Sequence, residues 1–71
     1  MKYFVLYERS PSGGWGAYPP DLPGVGVVGK SRDEVRNLVR KAIEMHLTAL
    51  RDEGMPIPEA TTQDGEILDV A

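Results

Sequence analysis

The chain has no cysteine, so it carries no disulfide framework and no thiolate metal site. It has one histidine, His46, which removes most zinc arrangements. No apolar run approaches the roughly 18 residues of a membrane span. The first residues, Met1 to Arg9, become charged too early to read as a secretory signal, so a cytoplasmic protein is the expectation. Basic charge is also short: 8 Lys and Arg against 11 Asp and Glu leave a net charge of −3. That argues against nucleic-acid binding driven by bulk charge and allows a basic protein partner. Seventy-one residues make one small domain, and the apolar share of 41% is ordinary for a folded one.

The strongest local signal is Ser31 to Gly54. Ser31 precedes the first apolar-periodic residue and Glu34 follows three places later, the spacing of a capping box. Gly54 stands where a left-handed closing residue is needed, and Pro56 forbids resumption. Between them Val35, Leu38, Val39, Ala42, Ile43, Met45, Ala49 and Leu50 recur at helical spacing. A helix of about six turns is predicted, with one broad face to bury. No second helix of this quality exists, so a sheet must cover that face.

Lys2 to Arg9 is rich in aromatic and β-branched residues and ends at Ser10-Pro11-Ser12-Gly13-Gly14, a dense turn signal. Trp15 to Tyr18 reads as the returning strand. Pro19 to Gly24 holds three prolines and must be a loop. Val25 to Val28 reads as a third strand. Glu66 to Val70 is a candidate fourth, edge strand after a mobile stretch from Ala60 to Gly65. The expected class is α+β, β-β-β-α with an optional last β: an antiparallel sheet with one long helix on one face. Residues 1–59 would form the domain, and 60–71 a tail or edge strand.

In the first strand Tyr3, Val5 and Tyr7 alternate with Phe4 and Leu6. One helix covers one sheet face, so Tyr3, Val5 and Tyr7 are expected to form an uncovered face, either merely amphipathic or a surface for self-association or a partner.

Gly24-Val25-Gly26-Val27-Val28-Gly29-Lys30-Ser31 matches two phosphate-binding patterns. Both need a strand before the glycines and a parallel strand afterwards. Here a proline-rich loop precedes, and the valines between the glycines are themselves the best strand. Gly24, Gly26, Gly29, Lys30 and Ser31 are therefore read as a false match, and no nucleotide or other cofactor is expected. His46 falls within the helix's apolar stripe and reads as a core histidine, the alternative being a pH-sensitive interface residue. Arg32, Arg36 and Arg40 run up one helix flank at a spacing that costs local stability. They form either a solvated flank or a strip contacting a partner. The carboxylates are scattered, and no acid/base pair or metal set suggests itself.

Pro20-Asp21-Leu22-Pro23-Gly24, then Gly29-Lys30-Ser31, Asp33-Glu34, the long helix and Gly54-Met55-Pro56-Ile57-Pro58-Glu59 resemble the HicB-like antitoxins. The resemblance runs from the first strand to about Glu59. It implies a shortened ribonuclease-H-like domain without catalytic carboxylates. It further implies an antitoxin that binds a small, basic, mRNA-cleaving toxin and blocks its active site. Trp15, Tyr18, Asp21 and Leu22 are the expected contacts, with Arg36 and Arg40 as the accompanying flank. The chain departs from the family pattern at Val25, Lys30 and Val35. Thirteen residues follow Pro58, too few for the DNA-binding module that many members carry, so operator binding is not expected of this chain. A self-associating protein without a toxin and a nuclease on the same scaffold are the rival readings.

Overall fold

The computed structural model describes residues 1–71. Strand β1 (Leu6–Arg9), strand β2 (Trp15–Tyr18) and strand β3 (Val27–Gly29) form an antiparallel sheet in the order β1-β2-β3, followed by helix α1 (Arg32–Asp52). The fold is α+β, with the helix packed on one face of the sheet.

The β1–β2 turn is drawn together by its serines. The Ser10 N–H donates to Gly14 O at 2.8 Å, and the Gly14 N–H donates to Ser10 Oγ at 3.1 Å. Gly13 supplies the positive φ of 96° that the turn needs. The register pairs Leu6 with Tyr18, Tyr7 with Ala17, and Ala17 with Val27. Continued outward, that register sets Pro19 and Pro20 opposite Val5 and Phe4. Neither proline has an N–H to give. Hence β1 begins at Leu6 rather than at Lys2. Similarly, the Val25 N–H is taken by Leu22 O at 3.2 Å, a loop contact, and β3 begins two residues later than expected.

Helix α1 is capped at both ends. Ser31 Oγ accepts from the Glu34 N–H at 3.1 Å. At the other end the Gly54 N–H donates to Arg51 O and the Met55 N–H to Leu50 O, with Gly54 at φ 69°. That pair of bonds is a Schellman closure. Glu34 itself lies against β3: a Cβ on Gly29 would sit 2.7 Å from its Oε1 and 3.0 Å from Val35 Cγ1. Gly29 is thus a point of close approach between helix and sheet.

The core is small. Ala17, Val35 and Val39 are buried together, with Val5, Tyr7, Trp15, Val27 and Ile43 packed around them. The helix lies over β2 and β3. A three-stranded sheet is narrower than the stripe predicted from periodicity. Val35, Val39 and Leu47 are buried, but Leu38, Met45 and Ala49 remain exposed, Met45 at 73%.

Two expectations are corrected here. Val5 and Tyr7 do not lie on an uncovered face; they pack toward the helix. The register explains it, because Tyr7 shares a face with Ala17 and Val27, and two small side chains leave space that its ring fills. Arg32 then stacks over that ring, 4.2 Å from its centroid. Tyr3 is also engaged within the chain, its hydroxyl donating to Pro58 O at 2.5 Å. Secondly, Glu66 to Val70 forms no strand in the single chain.

Candidate functional site

Two surfaces emerge, on opposite sides of the sheet. Strand alternation sends Leu6, Glu8, Gly16, Tyr18 and Val28 to the face away from the helix. In the cross-strand rows Leu6 lies beside Tyr18, and Gly16 lies between Glu8 and Val28. Val28 is 81% exposed and Tyr18 is exposed as well. Gly16 and Gly26 add no side chain here, so the patch is flat. A Cβ on Gly26 would meet Tyr18 Cβ at 3.8 Å, an ordinary contact. Phe4 lies on the same side, but Gly65 of the tail covers its ring.

The second surface is a groove of about 930 Å³ between α1 and the start of the chain. It exists because the helix sits over β2 and β3 and leaves the β1 side open. Tyr3, Val5 and Tyr7 line one wall, and Val39, Ile43 and Leu47 the other. Lys2, Arg36, Arg40 and Arg51 stand around it with a single acid, Glu44. Arg51 Nη2 donates to Met1 Sδ at 3.9 Å, a weak acceptor.

The residues expected to act together are therefore dispersed. Trp15 and Tyr18 point to opposite faces, Trp15 into the helix-side core and Tyr18 outward. Leu22 is fully buried and cannot be a contact. Successive turns, Leu22 N–H to Pro19 O and Val25 N–H to Leu22 O, fold the proline loop so that Leu22 faces inward. Arg36 and Arg40 belong to the groove. His46 is half-buried on the helix. Val27 to Gly29 pairs with β2 as a strand, with Lys30 and Ser31 leading directly into the helix.

Asp21 clasps the tail. Its carboxylate accepts from the Thr62 N–H at 2.8 Å, the Thr62 hydroxyl at 3.0 Å and the Thr61 hydroxyl at 3.1 Å. The Thr62 backbone N–H is the main reason its carboxyl lies below the usual 3.8, since hydrogen bonds to the ionised form favour it.

Sequence reasoning missed the Leu6–Tyr18–Val28 patch and the place of Lys2 at the groove. It also missed a division of charge that was visible. All 8 basic residues fall within 1–54, against 7 acidic ones; the remaining 4 acids, Glu59, Asp64, Glu66 and Asp69, fall in 55–71. The formal side-chain charge is thus +1 for the body and −4 for the tail.

The family described as the HicB-like antitoxin of the bacterial toxin–antitoxin system matches residues 3–69. The chain belongs to the HicB-like antitoxin family. Among curated proteins, a UPF0150 protein of Archaeoglobus fulgidus is 30% identical over 70 residues, covering 99% of this chain and 88% of that relative. No solved structure is significantly similar. Membership gives the glycine and cap residues of this HicB-like chain a structural reading. Gly29 makes room for Glu34, and Ser31 and Gly54 bound the helix. The matched region extends past Glu59 into the tail, further than the sequence motifs reached. No helix is long and apolar enough to cross a membrane.

Proposed function

We propose that this antitoxin-family chain neutralises a small, basic, RNA-cleaving toxin in the cytoplasm by covering the toxin's active surface. The observation that carries the reading is the family match over residues 3–69, nearly the whole chain. The contact surface in this reading is the outer sheet face, with Tyr18 and Val28 as apolar anchors and Glu8 supplying negative charge. A net charge of −3 favours encounter with a basic partner. In this reading the three strands and the helix serve as a binding platform of shortened ribonuclease-H-like type.

The test is co-expression with the product of the adjacent gene, followed by affinity capture. A retained complex is expected, with binding weakened at least tenfold by Tyr18→Arg together with Val28→Asp. Capture that is absent, or indifferent to those substitutions, refutes the reading. RNA cleavage by the purified chain with magnesium or manganese would favour the nuclease alternative instead.

A further inference from the structure

The negative charge of the chain does not lie on its sheet. The strands contribute one acid, Glu8, and residues 1–54 carry a formal +1 in all. The −4 of residues 55–71 comes from Glu59, Asp64, Glu66 and Asp69, with no basic residue among them. Exposed charges act over about 8 Å at physiological ionic strength, so the net charge attracts a basic surface only where the carboxylates stand. The outer sheet face alone therefore lacks the electrostatic complement that a basic partner needs.

The end of the tail supplies it and carries apolar groups besides. The tail is held first at Pro58 by the Tyr3 hydroxyl and then at Thr61 and Thr62 by Asp21, and Gly65 lies on the Phe4 ring. Phe4, two residues before Leu6, is on the outer side of the sheet, so the free end leaves the body at the margin of the Leu6–Tyr18–Val28 patch. From there Glu66 to Ala71 can reach about 20 Å, at roughly 3.4 Å per extended residue, more than the width of three strands about 4.8 Å apart. Within that reach Ile67 is 100% exposed, Leu68 69% and Val70 80%, with Glu66 and Asp69 on either side of the Ile67–Leu68 pair. These apolar side chains stand in water and do not occupy the chain's own groove.

We infer that the tail end Glu66–Val70 is a second contact for the basic partner of the outer sheet face: its carboxylates meet the partner's cations, and Ile67, Leu68 and Val70 close over apolar surface beside them. The inference rests on the toxin-binding reading above and names the part of the chain that gives that reading its charge. Face and tail then act as two linked contacts. The clasps at Tyr3 and Asp21 leave only a short free segment, so its local concentration at the partner is high once the face has docked. Ordering so few residues costs little. Glu66 and Asp69 speed the encounter, and the apolar side chains slow departure.

The test measures the dissociation constant of the full chain for the purified product of the adjacent gene, at about 50 mM and about 300 mM salt. Glu66→Lys with Asp69→Lys should weaken binding at least tenfold at the lower salt and flatten its salt dependence. Ile67→Ser with Leu68→Ser should weaken it about fivefold and leave the salt dependence unchanged. Glu44→Lys with Asp52→Lys changes the net charge by the same amount on the helix, and should alter binding less than twofold. An unchanged far-ultraviolet circular dichroism spectrum shows that the body is intact in each variant. Wild type that binds while the tail variants stay within twofold of it overturns this inference and leaves the toxin reading standing. A helix reversal as damaging as the tail reversal overturns it too, since the effect then belongs to net charge. Wild type that does not bind refutes the toxin reading and this inference with it.

Discussion

Residues 1–54 and residues 55–71 are held by different forces. The body has a core of buried aliphatic side chains, a hydrogen-bonded sheet and a helix capped at both ends. The tail has almost no internal order. Of the 9 backbone hydrogen bonds outside helices and strands, only Thr61 N–H to Glu59 O lies wholly within it. What fixes its course is borrowed from the body and largely polar: Tyr3 to Pro58 and Asp21 to Thr61 and Thr62, with Gly65 against the Phe4 ring. Apolar burial survives acid and is lost when volume is removed, whereas a carboxylate clasp is the reverse. The two regions should therefore fail under different perturbations.

The largest difference is expected at Leu22. It is fully buried, so Leu22→Ala should lower the unfolding free energy by about 2–5 kcal/mol in urea titration. Leu68→Ala, in the exposed tail, should change monomer stability by less than about 0.5 kcal/mol. Equal effects would erase the distinction. Next in size is Gly29→Ala. The new methyl group would press on Glu34 Oε1 and Val35 Cγ1, costing about 1–3 kcal/mol of the body's stability. Ser31→Ala removes the helix N-cap and should cost about 1 kcal/mol, read as a lower urea midpoint at constant slope.

Asp21→Asn sharpens the comparison from the other side. Amide exchange at Thr62 should accelerate to the rate of an open chain while exchange at Val35 and Val39 is unchanged. The pH dependence follows from the same carboxylate. Its folded pKa is lowered below 3.8, so its contribution is fully present above that value and is lost as pH falls through the lower folded value. The Thr62 amide resonance should therefore titrate with a midpoint below 3.8 while resonances of the core hold still. A midpoint above that value would mean that the clasp does not form.

The helix was legible almost to the residue, because its signals are local: a serine and glutamate three apart, a stripe at helical period, and a glycine before a proline. The strand order was legible from turns, and the α+β class followed. Facing was not. Alternation shows that Val5 and Tyr7 share a side, but not that the side is inward. That depends on pairing with Ala17 and Val27, which is set by the register across the turn. For the same reason Trp15 and Tyr18 look adjacent in sequence and lie on opposite faces. Leu22 was misread because its inward direction comes from two loop hydrogen bonds that no periodicity encodes.

The most direct measurement of the antitoxin reading is RNA cleavage by the purified basic toxin titrated with this chain. Cleavage should fall linearly and stop near one antitoxin chain per toxin, and Tyr18→Arg with Val28→Asp should displace that end point to a large excess. Cleavage that continues undiminished at a tenfold excess of the wild-type chain would contradict it.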